Sequence, residues 1–220
     1  GGASEGVGCP ERCGAPRAFY RGWRVVRTMS DSPHVVGIAG SLRDESYTRL
    51  GVGRALDGVR RAGGTAELID LRAYDLPTYD ADADEAGDAG EFKRLVREAD
   101  AVLLGTPVYH GSYSSALKAA LDYCGFEEFE DETVGLLAVA GGGFPVTALE
   151  HLRSVCRALN AWVIPHQVAV PRAHAQFEGG KVVDDALDDR VLTLGRRAVQ
   201  YADIEPDPDS FESGQNVGAE

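Results

Sequence analysis

The chain has 220 residues, a net charge of -13 and a hydrophobic fraction of 44%. That length buries a substantial core as one domain, and the acidity excludes nucleic acid as a partner, because phosphate-backbone binding needs a basic stripe that the sequence lacks. No apolar run approaches the roughly 20 residues needed to span a bilayer, and the first thirty residues lack the apolar segment of a secretory signal. A cytoplasmic location without membrane attachment is therefore expected.

The cations are almost all arginine, with Lys93, Lys118 and Lys181 as the only lysines. An acidic, lysine-poor surface resembles that of proteins from salt-rich cytoplasms, and ordinary solubility through self-repulsion is the alternative. Cys9 and Cys13 form a C-x3-C pair with no second pair to complete a metal site. Cys124 and Cys156 fall on apolar helix positions and read as buried thiols.

Residues 1–30 are Gly- and Arg-rich without periodicity. The single methionine, Met29, directly precedes the first strand. The expectation is a natural start near Met29 and a disordered or non-native extension before it. The domain is expected over residues 31–203, followed by an acidic, Pro-containing, disordered tail over 204–220.

Strands and helices alternate between these ends. A strand is expected at His34–Ala39, then a helix from about Ser46 to Ala62 with Val52, Ala55, Leu56 and Val59 on one stripe. Next come a strand at about Ala66–Leu71, the acidic loop AYDLPTYDADADEAG, a helix near Asp88–Ala99 and a wholly apolar strand at Ala101–Gly105. Ser114–Cys124 reads as a helix, Val134–Ala140 as a strand and Val146–Leu159 as a helix. A short strand at Trp162–Ile164, a separate extended segment at Val168–Val170 and a last helix at about Asp185–Tyr201 complete the pattern. This alternation predicts a flavodoxin-like three-layer α/β/α sandwich around a five-stranded parallel sheet of order 2-1-3-4-5. In such a sheet ligands bind beyond the carboxyl ends of the first and third strands.

Three loops meet at that edge. After the first strand, GSLRDESYT offers the hydroxyls of Ser41, Ser46 and Thr48, a helix start and the planar fork of Arg43, the ingredients of an anion cradle. It matches neither G-x-G-x-x-G nor the P-loop pattern. After the third strand, GTPVYHGSYSS supplies the flat faces of Tyr109 and Tyr113. After the fourth, Gly141, Gly142 and Gly143 expose backbone that can follow the edge of a flat heterocycle. An anion cradle, an aromatic wall and a glycine rail together describe a flavin mononucleotide (FMN) site.

These residues resemble the NADPH-dependent FMN reductase family of flavodoxin-like proteins. Its signature G-S-x-R-x-x-S-x-N is similar to GSLRDESYT, and P-x-Y-N-G-S-x-x-G-A-L-K-N-x-x-D is similar to PVYHGSYSSALKAALD. The D-L-P stretch of YDLPTYDAD adds to the likeness. The resemblance implies FMN as cofactor and NADPH or NADH as donor. It assigns Ser41, Arg43, Ser46, Tyr47 and Thr48 to the FMN phosphate end, and Pro107, Val108, Tyr109, His110 and Gly111 to the isoalloxazine. Gly141, Gly142 and Gly143 lie near the other ring edge in that reading.

The implied reaction is ping-pong. NAD(P)H gives a hydride to the flavin, and a small-molecule acceptor (free flavin, quinone, azo compound or metal oxyanion) then takes the electrons. The cofactor carries the chemistry, so no catalytic acid, base or nucleophile is assigned. The resemblance also implies a homodimer or homotetramer, with Tyr123, Phe126 and Phe129 open as interface or core. Thr48 and His110 replace two asparagines of the pattern. Val108 replaces a glutamate frequent in the quinone- and azo-reductase branch, and with Tyr113 it resembles the branch that supplies reduced flavin to monooxygenases. A flavodoxin-type electron carrier is the alternative, but the T-x-T-G-x-T loop typical of flavodoxins is absent.

Overall fold

Five segments become five parallel strands, β1 (His34–Ala39), β2 (Thr65–Asp70), β3 (Ala101–Pro107), β4 (Thr133–Val139) and β5 (Trp162–Val170). Their order is β2-β1-β3-β4-β5, as in flavodoxin-like proteins. The computed structural model describes residues 32–83 and 86–202. The expectations for residues 1–30 and 204–220, and for Cys9 and Cys13, lie outside the described residues.

The helices are α1 (Tyr47–Arg61), α2 (Ala89–Arg97), α3 (Ser115–Asp122), α4 (Phe126–Phe129), α5 (Val146–Ala158) and α6 (Asp185–Gln200). Alternation along the strands divides the core in two. Val36, Ile38, Val102, Leu104, Leu136 and Ala138 pack with Phe92, Leu117, Phe129, Leu149 and Leu152 of α2 to α5. Val35, Leu103, Leu137 and Val168 pack with Val52, Leu56, Val59, Val191 and Leu194 of α1 and α6. The central strands β3 and β4 are buried at every position, which is why they read as unbroken apolar runs. Helices α1 and α6 approach so closely that a Cβ on Gly195 would stand 1.8 Å from the Ala55 carbonyl oxygen.

Three details depart from the sequence expectation. The two extended pieces at Trp162–Ile164 and Val168–Val170 are one edge strand, because a bulge carries the chain across Pro165. The register jumps there from Val134↔Val163 to Leu136↔Gln167. Arg153 of α5 satisfies the bulge, donating to the Ile164 carbonyl at 3.2 Å and to Gln167 Oε1 at 2.8 Å. Helix α4 has four residues, too few for any period to show. Its Glu128 carboxylate is buried, accepting from Gly125 N–H at 2.8 Å and from Arg97 at 2.5 Å. Tyr123 and Phe129 are therefore core, and of the three aromatic residues only Phe126 is exposed. Finally, a small hairpin, β6 (Phe177–Glu178) and β7 (Lys181–Val182), occupies the link from β5 to α6.

Cys124 and Cys156 are free and buried as expected. Burial pushes both thiols up, Cys156 to about 12. No helix among the described residues is long and apolar enough to cross a membrane.

Candidate functional site

Parallel pairing brings the ends of β1, β3 and β4 to one edge, with Ala39 beside Gly105 and Pro107 beside Val139. The loops that leave them are stitched together. Gly40 N–H donates to the Gly105 carbonyl at 2.8 Å, and Ser114 Oγ donates back to the Gly40 carbonyl at 2.5 Å. Thr106 Oγ1, fully buried, accepts from Ser114 N–H at 3.0 Å. Val108 N–H donates to the Val139 carbonyl at 2.9 Å. The first two loops are thus fixed relative to each other by a serine and a threonine with no obvious ligand role.

In the β1–α1 loop, Ser41, Ser46 and Thr48 are buried while Arg43 is exposed. Ser46 caps α1 by accepting from Arg49 N–H at 3.1 Å, and Ser41 Oγ accepts from Arg43 N–H at 3.5 Å. A hydroxyl that accepts a backbone N–H keeps its own proton to donate, so these two contacts aim donors without using them up. The N–H groups of Tyr47 and Thr48 have no intrahelical acceptor. Among the described residues, the Arg43 guanidinium has no ion pair. The Tyr47 ring is otherwise engaged, stacked on Phe177 of the hairpin at 5.2 Å and 19°.

The β3–α3 loop is a tight hairpin. Tyr109 and Ser112 exchange backbone hydrogen bonds of 3.0 Å, with His110 (φ 51°) and Gly111 (φ 79°) between them in left-handed conformation. Such a turn favours asparagine then glycine, so histidine at the first position is tolerated at some strain. His110 is exposed at the tip, Pro107 is buried as the last residue of β3, and Val108 packs on the core. Tyr109 is 49% exposed. Tyr113 is half-buried and lies edge-on to His151 of α5, whose Nδ1 is 2.9 Å from Ser112 Oγ.

The β4–α5 loop is open. A Cβ on Gly141, Gly142 or Gly143 would meet nothing within 4 Å, and none of the three has a positive φ. Among the described residues, neither packing nor a positive φ requires glycine there. The run borders open space among the described residues. Its position is held from the β5 side, where Arg172 N–H donates to the Gly142 carbonyl at 2.8 Å and Ala173 N–H to the Ala140 carbonyl at 2.9 Å. Phe144 beside it is 86% exposed.

The helix starts agree with an anionic occupant. Helices α1, α3 and α5, which follow these three loops, carry no acidic residue in their first turns. Helices α2, α4 and α6 each carry at least one. A chain this acidic would ordinarily place carboxylates at all such positive helix ends. A cavity of about 730 Å³ lies elsewhere, between the outer face of α1 and the β6–β7 hairpin, and no residue of these three loops lines it.

Sequence reasoning missed the residues that position these loops, namely Arg49, Asp70, Arg72, Thr106, Ser114, His151, Arg172 and Phe177. Ser114 carried a legible helix-cap signal. The contacts of Arg49 with Asp70, Arg72 with Asp44, Ser112 with His151, Gly142 with Arg172 and Tyr47 with Phe177 join residues far apart in the chain and left no local trace.

The strand order defines a flavodoxin-like fold with three loops meeting at one sheet edge, and comparison with known proteins makes the class specific. The NADPH-dependent FMN reductase family matches residues 33–175, and the chain belongs to that family. It is an FMN-dependent NAD(P)H oxidoreductase. A NADPH azoreductase of Bacillus sp. strain OY1-2 is 39% identical over 123 residues, 54% of this chain and 68% of the relative. An FMN-dependent NADPH-azoreductase of Staphylococcus saprophyticus is 37% identical over 112 residues, 46% of this chain and 60% of the relative's length. Among solved structures, the apo form of an NADH:FMN oxidoreductase aligns with a TM-score of 0.63 at 22% identity, covering 80% of this chain and 92% of the other. An NAD(P)H:acceptor oxidoreductase of Paracoccus denitrificans aligns with a TM-score of 0.65 at 21% identity, covering 77% and 97%. At those identities the two structures speak to the fold alone.

Proposed function

We propose that this chain passes electrons from NAD(P)H through FMN to flat aromatic acceptors, with azo compounds as the leading class. The observation that carries the reading is the meeting, at one sheet edge, of a hydroxyl-and-arginine loop, a tyrosine hairpin and a glycine run with no structural need for glycine. In this reading Ser41, Arg43, Ser46 and Thr48 hold the FMN phosphate, and Tyr47 contributes its backbone N–H. Pro107, Val108, Tyr109, His110 and Gly111 border one side of the ring, with Gly141, Gly142 and Gly143 along the other. FMN supplies two-electron hydride chemistry when bound. The chain's own residues bind and orient it, and exposed backbone N–H groups favour negative charge on the reduced ring. Azo compounds come first because the two relatives above are named azoreductases.

Free flavin is the second reading, favoured by the half-exposed Tyr109 and by Val108 at the position where the other branch has glutamate. Steady-state NADPH and NADH oxidation, in low and molar salt, with an azo dye and with free FMN, decides between them. Negligible turnover with every acceptor would leave an electron carrier instead. Molar salt also tests the adaptation to saline cytoplasm implied by the -13 charge. A homodimer is part of the proposal, supported by Leu42, Tyr109, Phe144 and Val146, large apolar side chains exposed on or beside the three loops. Sedimentation at equilibrium would read the mass directly.

A further inference from the structure

We propose that Arg49, Asp70 and Arg72 are positioning residues that hold the β1–α1 loop in the shape that binds a phosphate monoester, a role that rests on the FMN reading of that loop. Arg49 lies in the first turn of α1, and its guanidinium reaches back to the loop. Its Nη1 donates to the Arg43 carbonyl and to Asp70 Oδ2, each at 3.4 Å, and its Nη2 donates to the Asp44 carbonyl. Asp70 ends β2, so the loop is tied through Arg49 to the sheet.

Arg72 closes the circuit. Its Nε and Nη2 donate to the Asp70 carboxylate at 3.0 Å and 2.6 Å, while its Nη1 donates to Asp44 Oδ1 at 3.0 Å. Asp70 Oδ1 also accepts from Arg72 N–H at 3.2 Å, capping the short helical turn Leu71–Ala73. Two successive carbonyls and one side chain of the loop are thereby fixed to a single carboxylate and its two arginines.

This arrangement has two consequences for a phosphate. The described peptides are all trans, so the N–H on each peptide points opposite to its carbonyl. Turning the Arg43 and Asp44 carbonyls toward Arg49 turns the N–H groups of Asp44 and Glu45 the other way, away from Arg49. The second consequence concerns Arg43. Asp44, the acidic residue next to Arg43, is paired with Arg72 at 3.0 Å, and among the described residues Arg43 has no ion pair. The brace thus frees both the backbone donors and the one cationic fork of the loop.

The test compares FMN with riboflavin, which has the same ring and lacks the phosphate. Flavin fluorescence titrations of the full chain, stripped of flavin, would be run on wild type, Arg49→Lys, Asp70→Asn and Arg72→Gln. Asp70→Asn retains an oxygen to cap Arg72 N–H while removing the charge that both arginines share. FMN affinity should fall by about tenfold in each variant while riboflavin affinity stays within about twofold. FMN affinity unchanged in all variants overturns the brace, as does an equal loss for both flavins, which would mark a merely structural role. Three separate variants keep the test decisive where one fails to fold. A wild type that binds neither flavin sinks the FMN reading itself, a result distinct from tight wild-type binding with unaltered variants.

Discussion

The loop after β1 and the loop after β4 serve the same edge of the sheet and are built in opposite ways. The first has three buried hydroxyl residues and is tied down by two arginines and an aspartate. The second is three exposed glycines where, among the described residues, an added Cβ would meet nothing within 4 Å, with backbone bonds reaching the run from the start of the β5–α6 link. In the proposed reading the difference follows from what each would hold. A phosphate is recognised by donors fixed in direction, and any reorganisation on binding subtracts from affinity. A planar ring is recognised by access along its edge, which a side chain would block.

The sharpest way to break this comparison is at the charged end. Arg43→Ala should weaken FMN binding by about 1.5–3 kcal/mol, about ten- to a hundredfold, and leave the thermal midpoint of the flavin-free protein unchanged. Fluorescence titration beside a melting curve reads both. A fall in stability with no change in affinity would make Arg43 a structural residue and undo the contrast.

Ser46→Ala tests the neutral donors of the same loop. Losing the cap on α1 should cost about 1 kcal/mol of stability and lower the melting temperature by about 2–4 °C. It should also weaken FMN more than riboflavin, because the cap and the phosphate donor are one hydroxyl.

Acid addresses the brace. The hydrogen bond from Arg72 comes first among the influences holding the Asp70 carboxyl below its usual range, against a desolvation penalty and with further help from Arg49. A depressed folded-state value means that the stabilising contribution is complete above the unfolded value of about 3.9 and disappears as pH falls through the lower folded one. The stability gap between wild type and Asp70→Asn should therefore stay constant from pH 7 to about 5 and close only below about 4. A gap that closed near neutrality would show that Asp70 is not the group responsible.

The smallest effect is expected in the glycine loop. Gly142→Ala should change stability by less than about 0.5 kcal/mol, since the added methyl meets nothing and the backbone is ordinary. Its flavin affinity should nevertheless fall for FMN and riboflavin alike, the mirror image of the brace variants. If instead the melting temperature drops with affinity intact, the chain itself needs the glycine.

Much of this was legible locally. Ile38, Leu103 and Leu136 sit in runs that could only be buried parallel strands, and Ser46 announced the start of α1. The site loops were legible because they break local rules, with more hydroxyls than a cap requires and more glycine than a turn does. The bulge at Pro165 was misread as a gap, since a proline interrupts the apolar pattern and nothing nearby states that Arg153 rescues the carbonyls. The interface reading of Tyr123 and Phe129 fell because burial depends on what packs over a segment. Arg97, far upstream, anchors α4 through Glu128.

The amino-acid sequence by itself determined the element order, the strand topology and the chemistry offered at the carboxyl edge, because periodicity, caps and glycine runs act over a few residues. Only the tertiary structure decided which arginine of the β1–α1 segment is paired among the described residues. Arg43 and Arg49 look alike in GSLRDESYTR, yet one has no ion pair among the described residues while the other secures the backbone between them. That division depends on Asp70 and Arg72 arriving from the end of β2 with the right spacing, and the folded sheet alone sets that distance.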